Sequence, residues 1–383
     1  MKIVFFSIPA WGHTNPTVEV VRELSSRGHD VRYYTFAPFR EVLEEAGAEV
    51  VLCDDFLPPA PKDLEERVGK DFACLVEMVT DTTLALDEKV TAELTAFQPS
   101  VIVSDSLCFW GKLFAKKLGV PYVCSTTTFA FNRPTAPMMK QKGKELWYFL
   151  TGMPRVGRCM KRLRQRGYQV ENFLELIQND NDTETIVYTS RSFQPMAETF
   201  STCYAFVGPS LRDVSPQEEP KRRPLVYISL GTVMYDRPGF FHACVKALGG
   251  LDMDVILSTG KEITFTDIPA NFSLFPRVDQ LAVLAKADVF LTHCGMNSAS
   301  EAIWFGVPTI LYPLQSEEEA VAARMEELGL GLRLKDETAI REAVEALLHD
   351  PSYREHTRRL SRDFHRCGGA EAAADKIEAV GKT

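Results

Sequence analysis

Two short segments of the 383-residue chain place residues capable of chemistry directly after apolar runs. In the first, Gly12-His13-Thr14-Asn15-Pro16 follows the run Ile3–Ile8. Because histidine titrates near neutral pH, His13 could accept a proton from a substrate hydroxyl. A capping or packing role for the same side chain is equally compatible with its position.

The second segment, VFLTHCGMNS (289–298), leads from an apolar run into a helical pattern. Gly295 lets backbone amides approach an anion closely, and Asn297 and Ser298 stand at the predicted helix N-terminus, where N–H groups and the helix dipole favour phosphate. Glu301, one turn further along, is placed to accept hydrogen bonds from ribose hydroxyls. The spacing predicts a nucleoside diphosphate site.

A related loop, Ser229-Leu230-Gly231-Thr232, also joins the end of an apolar run to a glycine and a hydroxyl. One strand–glycine–helix junction is a weak signal, because ordinary turns share it. Two such junctions in one half of the chain, with His293 at a strand edge, favour phosphate binding over ordinary turns.

Elements of an α/β fold position these segments. Continuous apolar runs alternate with helical patterns, as parallel sheets covered on both faces require. The first helix is expected to begin near Pro16 with Asn15 as its N-cap. The predicted strands are Ile3–Ile8, Val31–Phe36, Val50–Cys53, Val101–Val103, Tyr122–Ser125, Ile186–Thr189 and Tyr204–Val207, then Leu225–Leu230, Val255–Ser258, Ser273–Phe275, Val289–Thr292 and Thr309–Tyr312.

The length of the chain exceeds what one hydrophobic core supports, so two domains are expected. Residues 1–208 form the first domain, residues 209–224 a proline-rich charged linker and residues 225–359 the second domain; a helix at about 360–383 could pack back on the first. Two such α/β units predict two facing, doubly wound Rossmann-like domains with a cleft between them. Ligands bind at the carboxyl ends of the strands, so His13 is expected in that cleft.

Composition narrows the function. A net charge of −9 argues against a nucleic-acid binder. Nine cysteines without C-x-x-C pairs are typical of reduced thiols in a cytoplasmic protein. No stretch reaches the ~18 apolar residues of a membrane span, and the short apolar start lacks a signal-peptide cleavage site. The chain is expected to be soluble and cytoplasmic.

The segment from Pro276 to Ala320 resembles the donor-binding signature of family-1 glycosyltransferases, and the Gly12–Pro16 loop resembles their N-terminal acceptor-side loop. The subgroup resembled is the bacterial macrolide glycosyltransferases, which have the GT-B fold. The resemblance implies a nucleoside diphosphate sugar donor, usually UDP-glucose, bound mainly by the C-terminal domain. It also implies an apolar small-molecule acceptor, such as a macrolide or a phenol, in the N-terminal domain.

The resemblance implies a role for each matching residue. His13 corresponds to the catalytic base and Asp105 to the carboxylate that orients it. The donor-binding positions are Val278 and Gln280 for the nucleobase, His293, Asn297, Ser298 and Thr232 for the diphosphate, and Glu301 for the ribose.

These residues suit a direct displacement. His13 would take the acceptor proton while Asp105 holds one ring nitrogen as a donor and stabilises the imidazolium. One displacement inverts the anomeric centre. The alternative for Asp105 is a turn former, but both residues follow strands of the same predicted sheet.

No metal or other cofactor is expected. The sequences DND (180–182) and DMD (252–254) do not follow strand ends as a metal-binding Asp-x-Asp motif would, and they are typical of solvated turns. The helix N-terminus near Asn297 and the His293 imidazole would stabilise the leaving diphosphate instead.

The chain departs from the family pattern after Pro313, where Glu317 and Glu318 stand in place of an acidic residue followed by Gln. Two carboxylates can accept bonds from sugar hydroxyls but repel an anionic sugar, so a neutral sugar is favoured over glucuronic acid. Acidic enrichment of a helix first turn is the alternative, above all for Glu319.

Acceptor contacts are the least specific expectation, since aromatic residues at such spacing also form ordinary cores. The candidates for an apolar acceptor wall are Phe109, Trp110, Phe129, Phe131 and Met138. Residues 140–166 hold nine Lys or Arg against one Glu. They predict a solvated helix face or a peripheral contact with anionic membrane that serves a lipid acceptor.

Three rival functions remain at this point. A nucleotide-sugar epimerase of the same fold would need acidic residues beside the sugar, which Glu317 and Glu318 could supply. A lipid glycosyltransferase would use the basic stretch 140–166. A non-catalytic accessory protein would bind the donor without needing the base His13. These patterns are compatible with a monomer and with a dimer.

Overall fold

The computed structural model describes residues 1–57, 71–132, 134–135, 143–171, 181–214, 223–231, 237–261, 263 and 267–382. The chain divides into two compact units. The first unit comprises Met1–Tyr188, Met196–Ser210 and Gly369–Thr383, and the second comprises Thr189–Pro195 and Leu211–Gly368.

Each unit is built on one parallel sheet, as predicted from the continuous apolar runs. In the first unit the strand order is β3-β2-β1-β4-β5-β6-β7, and in the second it is β10-β9-β8-β11-β12-β13. The strands are β1 Lys2–Phe6, β2 Asp30–Thr35, β3 Glu49–Leu52, β4 Val101–Asp105, β5 Tyr122–Thr126, β6 Thr185–Val187, β7 Tyr204–Phe206, β8 Leu225–Ser229, β9 Asp254–Ser258, β10 Phe272–Phe275, β11 Val289–Thr292, β12 Thr309–Leu311 and β13 Gly331–Arg333. Among the strands in the described part of the chain, only the short edge strand β13 was not predicted.

Helices cover both faces of the sheets. The α-helices in the described part of the chain are α1 Trp11–Ser26, α2 Arg40–Glu45, α3 Phe72–Phe97, α4 Phe109–Leu118, α5 Gly143–Gln165, α6 Pro238–Leu248, α7 Gln280–Leu284, α8 Met296–Trp304, α9 Ser316–Glu327, α10 Ile340–His349, α11 Pro351–His365 and α12 Gly369–Gly381. Among the described residues, no helix combines the length and the hydropathy needed to cross a bilayer.

Alternate side chains of β1 pack into two different hydrophobic cores, one on each face of the sheet. Ile3 and Phe5 pack with buried residues of α1 and α12, including Leu24 and Ile377. Val4, on the opposite face, packs with buried residues of α3, α4 and α5. This two-sided burial is the reason that the strand reads as a continuous apolar run.

The start of α1 differs from the prediction. The helix begins at Trp11 rather than near Pro16, and its N-cap is the extended residue Ala10, with no side-chain cap bond. The N–H groups of His13 and Thr14 both donate to the Ala10 carbonyl oxygen at 3.0 Å. The expectation that Asn15 caps the helix is therefore wrong, and His13 lies inside the first turn.

Pro16 is an interior residue of α1, where it cannot donate to the carbonyl four residues earlier. Side chains support this turn instead. Thr17 Oγ1 donates to the Thr14 carbonyl oxygen at 2.8 Å and lies 2.9 Å from the buried Tyr33 hydroxyl. Tyr33, a residue of β2, thus helps to support the turn that carries His13.

The unit boundaries differ from the predicted ones at two places. Of the C-terminal helices, only α12 belongs to the first unit, whereas α11 stays with the second, where Ser361 Oγ donates to the Trp304 carbonyl oxygen at 2.7 Å. The segment Thr189–Pro195 also belongs to the second unit, because Arg324 donates to the carbonyl oxygens of Ser192 and Phe193, both at 3.0 Å. Residues 215–222 of the predicted linker lie outside the described residues.

The helix α12 completes the first core. Ile377 is fully buried, and Arg27 and His29 contact carboxylates of α12, with His29 Nε2 lying 2.9 Å from Glu378 Oε1. We expect Ile377→Ala to lower the free energy of unfolding of the first unit by about 2–5 kcal/mol, because it leaves a cavity under α12.

Urea titration followed by circular dichroism measures this change. The control is Glu371→Ala at an exposed position of the same helix, which should stay within about 0.5 kcal/mol of the parent. Equal midpoints for the two variants would mean that α12 does not contribute to the core.

Candidate functional site

The candidate site residues of the first unit lie where the chain order of its sheet reverses. Strands β1 and β4 are neighbours, while the chain continues from β1 to β2 on one side and from β4 to β5 on the other. Such a switch point leaves a crevice at the carboxyl ends of the strands. His13 follows β1, and Asp105 is the last residue of β4.

The structure brings these two side chains into contact. His13 Nδ1 lies 2.7 Å from Asp105 Oδ2, and the two side chains are 14% and 1% exposed. The other carboxylate oxygen accepts the Leu107 N–H at 2.8 Å, which fixes its orientation. An ionised carboxylate only accepts, so Nδ1 carries the hydrogen and Nε2 is the accepting nitrogen of the neutral ring. This arrangement suits a general base.

Thr127 is a third residue at this position that sequence reasoning missed. It directly follows β5, the neighbour of β4, and its Oγ1 lies 3.1 Å from His13 Nδ1. The available signal was its place at the end of an apolar strand, like Asp105. Leu107, an apolar residue that is 43% exposed, follows Asp105 and was missed as well.

In the second unit, the corresponding switch point lies between β8 and β11. Gly231 follows β8 closely and His293 follows β11. A Cβ atom on Gly231 would stand 2.6 Å from His293 Cε1, and one on Gly295 would stand 2.6 Å from His293 Nε2. A side chain at either position would have to displace the imidazole, and at Gly231, whose φ is 75°, it would also strain the backbone.

Burial lowers the pKa of His293 to about 4, so its imidazole is neutral at physiological pH. Its Nδ1 is buried and has no hydrogen-bond partner among the described residues. A neutral imidazole can donate one N–H to an anion without changing its charge. This suits binding of a diphosphate rather than proton transfer.

The turn between His293 and α8 is strained. Cys294 has φ 68°, a left-handed conformation that costs a non-glycine residue roughly 1–2 kcal/mol. Its thiol is fully buried, and its N–H donates to Thr292 Oγ1 at 3.2 Å. Strained residues of this kind are found at functional loops, where the surrounding structure holds them. Here the strained residue lies between His293 and the start of α8.

The N-terminus of α8 carries no side-chain cap and no acidic residue in its first turn. Its cap residue is Gly295, and Asn297 and Ser298 lie in the first turn. The first amides of a helix and its dipole attract an anion. The structure thus places three of the predicted phosphate-binding positions on one helix start.

A hydrogen-bonded cluster lies beside that helix start. Gln280 Nε2 donates to Ser298 Oγ at 3.1 Å and to Glu301 Oε2 at 2.6 Å, while Tyr227 donates to Gln280 Oε1 at 2.9 Å. Burial raises the pKa of Glu301 to about 7. The predicted nucleobase residue Gln280 therefore contacts the predicted ribose residue directly, and half-buried Val278 packs nearby against the cluster that contains Tyr227.

The two acidic residues at α9 have different environments. Glu318 is buried, and its Oε2 accepts the N–H groups of Leu314 and Gln315 at 2.7 and 2.9 Å as part of a capping box. Burial raises the pKa of its carboxyl. Glu317 is exposed, whereas Glu319 pairs with Arg333 at 2.9 Å. Of the two residues predicted to accept from sugar hydroxyls, Glu318 thus has one oxygen already bound by backbone N–H groups.

The predicted acceptor residues that the structure describes differ in exposure. Trp110 lies in the core of the first unit, because the helix α4 turns it toward α3, and Phe109 and Phe129 are also buried. Phe131 is 36% exposed. The predicted contacts Met138 and Thr232 lie outside the described residues.

The basic stretch 140–166 largely forms α5, which packs on α3. Arg155 pairs with Glu77, Arg162 donates to Asp81 at 2.7 Å, and Arg164 donates to backbone carbonyl oxygens. These contacts favour the structural interpretation of the charge over membrane contact. Arg158 and Lys161 face solvent.

The acidic motifs considered for metal binding take up other positions. Asp254 begins β9, at the amino end of the sheet, and pairs with Arg223. Asp180 lies outside the described residues. Within the described ranges, no group of three or more His, Cys, Asp or Glu side chains could hold a metal ion.

Known proteins resemble this chain in sequence and in fold. The family model "UDP-glucoronosyl and UDP-glucosyl transferase" matches residues 218–367. The chain is 34% identical to the NDP-glycosyltransferase YjiC of Bacillus subtilis, over 99% of this chain and 97% of that protein. It is 28% identical to the oleandomycin glycosyltransferase of Streptomyces antibioticus, over 98% and 90% of the two chains.

The crystal structure of the calicheamicin glycosyltransferase matches with a TM-score of 0.81 at 31% identity, over 99% of this chain and 98% of that chain. Both the sequence and the fold comparisons therefore extend over nearly the whole chain. The family resemblance predicted from the motifs is confirmed: the chain belongs to the family-1 UDP-glycosyltransferases, and its fold is GT-B.

Proposed function

We propose that this enzyme transfers a hexose, glucose from UDP-glucose first of all, to a hydroxyl of an apolar small molecule such as a macrolide, a flavonoid or another phenol. The observation that carries the proposal is the 2.7 Å contact between His13 Nδ1 and Asp105 Oδ2. A donor-binding accessory protein would have no use for a histidine oriented in this way. The names of the relatives, which include an oleandomycin glycosyltransferase, support this acceptor class.

In the proposed step, His13 Nε2 takes the proton of the acceptor hydroxyl as its oxygen attacks the anomeric carbon. The bond from that carbon to the diphosphate oxygen breaks, and the nucleoside diphosphate leaves with the electron pair. Asp105 stabilises the imidazolium that forms. A single displacement inverts the anomeric centre. General-base catalysis of this kind contributes about 10²–10⁴-fold to the rate.

The second unit would hold the donor without a metal ion. The His293 N–H and the N-terminus of α8 with Asn297 and Ser298 would stabilise the leaving diphosphate. Glu301 would accept from the ribose hydroxyls, and Val278 and Gln280 would contact the nucleobase. Thr232 is proposed as a further phosphate contact from the motif alone.

A neutral sugar fits the carboxylates at α9. Glu317 is exposed and could accept from sugar hydroxyls, whereas Glu318 has one oxygen bound to the backbone. Both would repel a glucuronic acid donor. We also propose that the enzyme works in the reducing cytoplasm, where its nine free cysteines would stay reduced.

A donor and acceptor panel tests the function. The protein is incubated in EDTA with UDP-glucose, UDP-glucuronic acid and dTDP-glucose, each with and without macrolide, phenolic and lipid acceptors, and products are read by mass spectrometry. An acceptor-dependent β-glycoside supports the proposal. Donor isomerisation alone supports an epimerase, a lipid product supports a lipid transferase, and binding without turnover supports an accessory role.

We expect His13→Ala to lower kcat by about 10²–10⁴-fold, since it removes the base. The Kd for UDP, measured by isothermal titration calorimetry, should not change, because the diphosphate cradle belongs to the other unit. His349→Ala, at an exposed histidine, is the control and should behave like the parent. An unreduced rate in the His13 variant would refute the base assignment.

His293→Ala should weaken UDP binding by about 10–100-fold, because a hydrogen bond to a charged group is lost. His293→Gln, which keeps an N–H donor, should recover part of the affinity. Calorimetry measures both, and circular dichroism checks that the packed loop survives. Equal affinity for UDP in the parent and both variants would remove His293 from the diphosphate site.

Donor affinity should depend on pH through Glu301, whose pKa of about 7 makes it a carboxylate only at higher pH. The carboxylate accepts two hydroxyl bonds, whereas the protonated form accepts less well. UDP affinity should therefore fall as the pH drops from 8 to 6 (an interval of about one unit on each side of that pKa). Glu301→Gln should flatten this dependence. A parent profile as flat as that of the variant would contradict the assignment.

A further inference from the structure

A second oxygen atom, from Thr127, lies near the His13 nitrogen that faces Asp105. Thr127 is 3% exposed, and its Oγ1 lies 3.1 Å from His13 Nδ1. The adjacent strands β4 and β5 thus each bring one side chain to the same nitrogen of the imidazole that follows their neighbour β1. Nothing in the proposed displacement accounts for the threonine.

The roles of donor and acceptor follow from the carboxylate. Asp105 Oδ2 can only accept, so the single hydrogen on Nδ1 must point to it. If Thr127 donated to Nδ1 instead, the nitrogen would carry no hydrogen and Asp105 would face a lone pair at 2.7 Å. Thr127 Oγ1 therefore meets the same N–H as a second acceptor, and its own hydrogen points elsewhere.

Two acceptors around one nitrogen restrict the ring more than one does. Asp105 is itself immobilised, because its other oxygen accepts the Leu107 N–H. Rotation of the imidazole about its Cβ–Cγ bond would lengthen at least one of the two contacts at Nδ1. The threonine oxygen also adds a partial negative charge beside the imidazolium that forms during transfer.

We propose that Thr127 is a positioning residue for His13: its hydroxyl is the second acceptor for the Nδ1 hydrogen and keeps Nε2 directed at the acceptor hydroxyl. This inference rests on the proposed function, in which His13 is the base. The role would be exercised through His13 alone, without contact between Thr127 and either substrate.

The experiment compares Thr127→Val, which keeps the shape and removes the oxygen, with Thr127→Ser, which restores it. The matched control is Thr126→Val, since the neighbouring side chain is also buried and lies 3.5 Å from Cys124 Sγ rather than at His13. All variants are assayed with UDP-glucose and the acceptor identified for the parent. The readouts are kcat, both KM values, the pH profile of kcat/KM and the thermal midpoint.

For Thr127→Val we expect kcat to fall about tenfold, as for a lost hydrogen bond to a charged group. Both KM values should stay unchanged, and the acid limb of the profile should move to lower pH because the imidazolium is less stabilised. Thr127→Ser should restore kcat and the profile. A change in the donor KM with kcat intact would overturn the proposal in favour of a sugar contact, and an unmoved pH profile would reduce Thr127 to packing.

The same assay includes His13→Ala to separate two failures. If His13→Ala retains the parent rate, the proposed base is wrong and the inference about Thr127 falls with it. If His13→Ala is inactive while Thr127→Val matches the parent and the Thr126→Val control, only the positioning role is wrong.

Discussion

The hydrogen bond between His13 Nδ1 and the buried Asp105 carboxylate is the contact on which the proposed chemistry of the first unit depends. It exists because β1 and β4 are neighbours, which brings the residues after their carboxyl ends together. The carboxylate selects the ring tautomer, and the tautomer makes Nε2 the basic nitrogen. Strand order therefore decides which nitrogen can take a proton. The turn that carries His13 has no side-chain cap and contains a proline, so it relies on Thr17 and Tyr33 beneath it.

The two histidines at the two switch points show how surroundings divide roles between identical side chains. His13 lies against a carboxylate, which accepts the hydrogen of its Nδ1. His293 lies against two glycines in dry surroundings, and burial lowers its pKa to about 4. It stays neutral at physiological pH and can donate one N–H without a change of charge. These different surroundings, at equivalent places in two parallel sheets, are the reason that we propose different roles for the two histidines.

Much of the fold was predictable from the sequence because buried parallel strands are continuous apolar runs, and the β11–α8 loop stood out through Gly295 and the small polar residues after it. The start of α1 was not, because its cap is a backbone carbonyl and Pro16 resembles a first helical residue. Thr127 has the same signal as Asp105, a place at the end of an apolar strand, but its contact with His13 was missed because it also requires β5 to lie beside β4 in the sheet. Trp110 shows the same limit of sequence reasoning. Its residue type fits an acceptor wall as well as a core, and the packing of its helix places it in the core.

Two helix starts in the second unit, α8 and α9, follow adjacent strands at the same sheet edge, yet they differ in charge. The first turn of α8 has no acidic residue and no side-chain cap, so its amides and dipole are available to an anion. The first turn of α9 has three glutamates and a capping box, so its dipole is already compensated. If the donor binds as proposed, this contrast would favour its diphosphate at α8, and the hydroxyls of a neutral sugar could donate to the Glu317 carboxylate near the start of α9. Under the proposed function, this difference in charge would distinguish the diphosphate end of the donor from its sugar end.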